Sequence, residues 1–142
     1  MSADIDAAAA AYAAFFETLS ADGLDRLDAL CAPDVFFRDP FNEVVGVAAF
    51  RAVLAKMFRD VAAPRFAVTD RARSGRTVYL RWTFAFGRGR RSHRIEGMSE
   101  VHFDAAGRVE KHIDHWDGSE VYRLVPLLGA AIRLVRRRIA AG

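Results

Sequence analysis

A chain of 142 residues, 52% of them hydrophobic, is long enough for one buried core and too short for two comfortable domains, which points to a single domain over residues 1–142. The net charge is only +3 and the basic excess is local, in Arg88–Arg94 and Arg133–Arg138, so no nucleic-acid partner is expected. Cys31 is the only cysteine, the start is acidic rather than basic, and no stretch approaches the ~20 apolar residues of a membrane span; the expectation is a cytoplasmic protein without an internal disulfide.

In chain order, Ile5 to Leu19 is rich in alanine, with Tyr12, Phe15, Phe16 and Leu19 at helical spacing, and predicts a first helix. Leu24, Leu27, Leu30 and Cys31 predict a second, short one reaching about Ala32. Pro33 sets a boundary, and Val35-Phe36-Phe37 reads as a strand. Gly46 to Asp60 carries Val47, Phe50, Val53, Leu54, Met57 and Phe58 on one face of a third helix.

From Pro64 the pattern turns extended. Phe66-Ala67-Val68 begins a strand closed by a turn at Ser74-Gly75. Val78, Leu80, Trp82, Phe84 and Phe86 then alternate with Tyr79, Arg81, Thr83 and Ala85, the clearest period-two run in the chain. Ile95–Phe103 and Val109–Trp116 are the next two strands, joined at Asp104–Gly107. Residues 119–142 read as an amphipathic, basic helical tail, interrupted or restarted at Pro126. This order gives an α+β fold: three helices on one side of a strongly curved, mostly antiparallel sheet, with an extra C-terminal helix. Helices covering one side of such a sheet leave a pocket between the two layers.

Three features carry candidate chemistry. Asp39 lies in Phe36-Phe37-Arg38-Asp39-Pro40-Phe41-Asn42, a carboxylate among aromatic residues held extended by the following proline. Apolar surroundings disfavour charge on a carboxyl group, which suits a general acid or base. On the last strand, strict alternation puts Glu110, His112, Asp114 and Trp116 on one face and Val109, Lys111, Ile113, His115 and Asp117 on the other. His112 and Asp114 could hold a water, a substrate carbonyl or each other; an exposed strand face is the plainer alternative. They supply at most two metal ligands, with no further histidine or cysteine pair to complete a set, so no metal is expected. Arg81, amid apolar neighbours, must reach solvent or pair with a carboxylate, for which Asp39 and Asp114 are the candidates.

The basic turn with Arg88, Arg90 and Arg91 reads as a solvated hairpin, because no aromatic stacking pattern accompanies it. The tail, with Leu124-Val125-Pro126-Leu127-Leu128, Ile132, Leu134 and Val135 beside Arg133, Arg136, Arg137 and Arg138, covers a pocket mouth, packs on the domain, or associates weakly with an anionic membrane.

Ala21-Asp22-Gly23-Leu24-Asp25, the run Leu30 to Phe41, Gly107-Arg108-Val109 and Ile113-Asp114-His115-Trp116-Asp117 together resemble the nuclear transport factor 2-like superfamily, with its SnoaL-like, ketosteroid isomerase and limonene-epoxide hydrolase branches. The resemblance spans nearly the whole chain and implies a cone of three helices against a curved sheet. It also implies frequent homodimers through the outer sheet face, and a membership of enzymes alongside binders.

Asp39-Pro40 resembles the isomerases' aspartate–proline base, while their oxyanion-hole positions fall on Phe15 and Ser99, with Tyr12 one turn earlier. Asp114 resembles the hydrolases' base, with Arg81 near their bridging arginine, Thr83 at their second acid and Asp39 where an asparagine holds the water. The expected catalytic set is Asp39, Asp114, Arg81 and His112. Tyr12, Phe15, Phe37 and Phe41 are expected to bind ligand, as are Phe58, Trp82, Ser99 and Trp116. The implied activity is cofactor-independent isomerisation, cyclisation or hydrolysis of an apolar carbonyl or epoxide compound; the alternative is a non-catalytic binder of an apolar ligand.

Overall fold

The computed structural model describes residues 2–124 and 126–140. Met1, and Val125, Ala141 and Gly142 of the expected tail, lie outside the described residues. Helix α1 spans Ile5–Glu17; the Asp4 side chain accepts the Ala7 N–H at 3.1 Å at its start. The buried positions Ile5, Ala9, Tyr12, Ala13 and Phe15 form its inward stripe. The expected second helix is mostly a 3₁₀ segment, Ala21–Arg26, followed by the single turn α2, Leu27–Leu30. Leucines spaced by three at 24, 27 and 30 suit three residues per turn. Helix α3, Val47–Asp60, buries Phe50 and Leu54.

Six strands follow the order β2-β1-β6-β5-β4-β3 in one sheet: β1 Cys31–Arg38, β2 Glu43–Val45, β3 Arg65–Ser74, β4 Thr77–Phe86, β5 His93–Phe103 and β6 Val109–His115. The last four make the expected meander. The sheet then continues through a parallel β1–β6 pairing, with Phe37 opposite His112, and a β1–β2 hairpin. β1 begins at Cys31 and runs through Pro33, which falls in the irregular stretch between the paired Cys31 and Phe36. There the ladder needs no proline N–H.

One irregularity decides the site. His102 pairs with Lys111 but Phe103 pairs with Val109, so β6 carries one extra residue at Glu110. The bulge reverses the alternation. Val109, His112 and Asp114 therefore share the concave side: Val109 is fully buried in the core, while Glu110 is exposed. The expected grouping of Glu110 with His112 is thus corrected, and Val109 takes the inward place.

The helices cover the concave side of this curled, unclosed α+β sheet, with α1 packed on β3 and α3 on β1. After β6 come the single turn α4, Ser119–Tyr122, and α5, Pro126–Ile139. Among the described residues no helix is long and apolar enough to cross a membrane.

Candidate active site

The concave side grades from solid to half-open. Tyr12, Phe37 and Phe50 are buried; Phe58, Phe66, Phe84, Phe86 and Trp116 are only partly so. At the closed end the His112 ring is enclosed by Phe37 at 5.2 Å, Phe50 at 5.5 Å, and Tyr12 and Phe16 at 5.6 Å between centroids. Phe37 itself stacks on Phe50 at 4.3 Å. An imidazole in so apolar a cage must satisfy both nitrogens internally.

It does. The Tyr12 hydroxyl lies 2.6 Å from Nδ1, and Asp114 Oδ1 lies 2.6 Å from Nε2. The same Oδ1 accepts the Ser99 hydroxyl at 2.5 Å, and Ser99 Oγ accepts the Trp82 indole N–H at 2.9 Å. The proton positions follow from what each group can do. Indole N–H only donates, so the Ser99 proton must go to Asp114; an ionised carboxylate only accepts, so the His112 proton sits on Nε2 and Nδ1 accepts from Tyr12. Burial, then the neighbouring Cys31 and Asp114, push the Tyr12 pKa well above its ordinary value, so the phenol keeps its proton.

Two donor chains, Trp82 to Ser99 and Tyr12 to His112, thus end on one oxygen of Asp114. Tyr12, His112, Ser99 and Trp82 are all buried, whereas the Asp114 side chain is 19% exposed. Among the described residues Asp114 Oδ2 has no hydrogen-bond partner. The result is a carboxylate with one oxygen pinned and the other available.

Gly97 makes this possible. It lies opposite Trp82 on β5, and a Cβ there would collide with the indole and come within 3.0 Å of Trp116 Cβ. A bare α-carbon lets the indole lie across the strand and reach Ser99. Sequence reading missed this residue; the signal was a mid-strand glycine across from a tryptophan.

Asp39 lies elsewhere, in the turn between β1 and β2. Its Oδ1 accepts the backbone N–H of Phe41 at 2.8 Å and of Asn42 at 2.7 Å, and the Asn42 side-chain amide bridges both oxygens at 3.0 and 3.1 Å. Its own N–H donates to the Asn42 carbonyl at 2.9 Å. This is an Asx-type turn in which both carboxylate oxygens are engaged. What it delivers is Phe41, whose ring meets Trp116 at 5.5 Å and Tyr122 at 5.4 Å. The turn thus places an aromatic rim two residues beyond Asp114.

The other expected residues separate. Arg81 is on the convex face, opposite Met98 and Asp70, because the alternation that buries Leu80 and Trp82 sends it outward. Of the two alternatives for Arg81, solvent holds and pairing with Asp114 does not, so its place in the expected catalytic set is corrected; His112 contacts Asp114 instead. Phe15 is buried beneath the Arg26 guanidinium, 5.2 Å away, on the side of the 3₁₀ segment. Phe58 lines a cavity of about 650 Å³ between the ends of α1 and α3, with Leu19, Pro64, Arg59 and Arg88. A second cavity of about 590 Å³ lies by Asp34, Phe36, Glu110 and Lys111. Asp114 lines neither. Among the described residues no cluster of three or more histidine, cysteine or acidic side chains is arranged to hold a metal ion.

A family model described as SnoaL-like domain matches residues 12–112. Among curated proteins no sequence matches. Among solved structures, an LEH-like epoxide hydrolase of M. tuberculosis is 17% identical, with 91% of this chain and 96% of that one covered and a TM-score of 0.66. TerC, co-crystallized with polyporic acid, is 18% identical over 84% and 96%, with a TM-score of 0.71. A protein of ketosteroid isomerase-like fold from Catenulispora acidiphila, in complex with trimethylamine, is 14% identical over 86% and 92%, with a TM-score of 0.68. At these identities the likeness is one of fold.

Proposed function

The chain belongs to the SnoaL-like domain family, and from that premise we propose that it is an acid/base enzyme in which Asp114 is the proton-transferring group. The observation that carries the reading is the asymmetric carboxylate: Oδ1 is bound by Ser99 and His112 at 2.5 and 2.6 Å, while among the described residues Oδ2, on a side chain 19% exposed, has no hydrogen-bond partner. Donors fixed on one oxygen hold the carboxylate oriented without a conformational search, and the free oxygen takes a proton from carbon or from a water.

The same geometry favours some reactions over others. An isomerase-type oxyanion hole needs hydroxyl or acid protons aimed at a substrate oxygen. Here the Tyr12 proton goes to His112 and the Ser99 proton to Asp114, so neither serves an enolate. Activation of a water for attack on an epoxide, or removal of one acidic carbon-bound proton as in a cyclisation, asks only for the base. The substrate is a small, neutral, largely apolar compound that packs against Trp116, Phe41 and Phe84. No cofactor is invoked.

Hydrolysis of styrene oxide and deuterium exchange at the α-carbon of 2-tetralone, followed by NMR, test the base directly. Activity in either that disappears in Asp114→Asn, with the fold intact, supports the reading; activity that survives in Asp114→Asn overturns it.

A non-catalytic binder of an apolar ligand is the second reading. The cavity beside Phe58 and Leu19, which does not include Asp114, favours it; saturable binding of 2-tetralone without exchange is its signature. We also propose a homodimer through the convex face, where Tyr79 and Met98 are 37% and 41% exposed near the middle of the sheet. Light scattering on the eluted protein tests it, and a monomer at every concentration removes it.

A further inference from the structure

Helix α5 is mounted inside out. At 100° per residue, Leu127, Leu128, Val135 and Ile139 fall within about 120° of its circumference, with Leu134 at the border. All five are exposed, Leu127 by 88% and Ile139 by 78%. A surface helix ordinarily buries its apolar stripe and shows water its charges. Here the opposite side is held against the preceding segment, residues 117–123. Gly129 approaches the Arg123 carbonyl so closely that a Cβ would collide with it, and Arg136 is ion-paired with Asp117 and, at 3.4 Å, with Glu120. The polar side is anchored, which fixes the stripe facing away.

The charges say what covers it. Of the fourteen residues in α5 none is acidic and four are arginine. Arg136 is used in the anchor, while Arg133, Arg137 and Arg138 are exposed and, among the described residues, have no acidic partner. Arg138 stands within the stripe near the C-terminal end, Arg137 lies about 80° beyond its edge, and Arg133 is on the opposite side of the helix. A second α5 packed on this stripe would place side by side two helices that each carry four arginines and no acidic residue. An anionic surface meets both features at once: the apolar side chains enter the acyl boundary while Arg138, from within the stripe, and Arg137, from its flank, reach the headgroups.

We propose that α5 docks the protein onto anionic phospholipid bilayers, lying in the plane of the interface. The helix is about 21 Å long at 1.5 Å per residue, too short to span and suited to lying flat. Docking is peripheral and salt-dependent, and it is independent of the Asp114 chemistry.

The test is flotation of the full chain with vesicles of phosphatidylcholine alone and of phosphatidylcholine mixed with phosphatidylglycerol. Binding is expected to the mixed vesicles, to fall with added salt, and to be weak on phosphatidylcholine. Arg138→Gln should weaken it about fivefold, Arg137→Gln less, and Arg133→Gln, on the far side of the helix, least. Leu127→Ser with Ile139→Ser should abolish it while leaving the unfolding midpoint unchanged, because both side chains are exposed. Equal binding of wild type and the triple glutamine variant overturns the proposal, as does absence of binding to the mixed vesicles. Self-association that Leu127→Ser destroys, without vesicle binding, assigns the stripe to a second copy and equally overturns it.

Discussion

Asp39 and Asp114 are both acidic residues at a strand end among aromatic side chains, yet the fold treats them in opposite ways. At Asp39 the donors are backbone and side-chain amides of its own turn, and they use both carboxylate oxygens. At Asp114 the donors come from β5 and from its own strand β6, are buried, and use one oxygen only. The comparison teaches that apolar neighbours do not make a carboxylate reactive. What matters is how many of its lone pairs the protein has already taken.

The largest expected effect breaks this comparison at its centre. Asp114→Asn should lower the rate of 2-tetralone exchange or styrene oxide hydrolysis by about 10²–10⁴, the usual worth of a general base. Asp39→Asn should leave the rate almost unchanged, because asparagine keeps an oxygen for the Phe41 and Asn42 amides. Kinetics of the two variants side by side decide it; a loss at Asp39 as large as that at Asp114 would put the base in the turn.

That contrast also shows what was legible in the sequence. The period-two run in β4 separates Trp82 from Arg81, yet the expected catalytic set still joins Arg81 with Asp114; the structure turns Trp82 inward and Arg81 outward. His112 and Asp114, two apart on one strand, were recognisable as neighbours. Their relation to Glu110 was not, because the extra residue opposite His102 and Phe103 is a property of the pairing between strands. Turn chemistry at Asp39-Pro40-Phe41-Asn42 was written locally, in an aspartate whose oxygens can reach the amides two and three residues on. It competes with the catalytic meaning of an aspartate before proline, and only coordinates separate the two. Tyr12 and Ser99 were placed in the site by resemblance, whereas their protons' destinations required the network.

The next effect tests whether the donor chains are built as one unit. Tyr12→Phe leaves His112 Nδ1 buried without a donor, at a cost of about 1–3 kcal/mol in stability. The imidazole loses a contact that orients it while Asp114 still holds its Nε2 proton, so the exchange rate should fall by less than in Asp114→Asn and its pH profile should shift. A stability loss without any change in the pH profile would mean that Tyr12 only packs. Gly97→Ala probes the other chain. The new methyl group meets the Trp82 indole, and displacing it should cost about 1–3 kcal/mol. Denaturant unfolding measures both, and the Trp82 emission reports whether the indole has left Ser99.

The smallest effect is electrostatic and again separates the two regions. Burial pushes the Cys31 thiol from its ordinary 9.0 up to about 12, opposed by a hydrogen bond with Tyr12 and aided by Asp28; burial raises Tyr12 as well. In both, the folded state holds its proton more tightly than the unfolded chain. Their contribution is therefore complete below pH 9, where both states are protonated, and is lost progressively as pH rises from 9 towards 12. Denaturant titrations across that window should show stability falling, and Cys31→Ala should flatten the fall because the ionising thiol is gone. Asp39→Asn should leave the slope as it is, since the turn contributes neither of these groups. An identical slope in wild type and Cys31→Ala would mean that the thiol contributes nothing to the alkaline limb, leaving the Tyr12 phenol as the group at the foot of the Asp114 network that unfolds first with base.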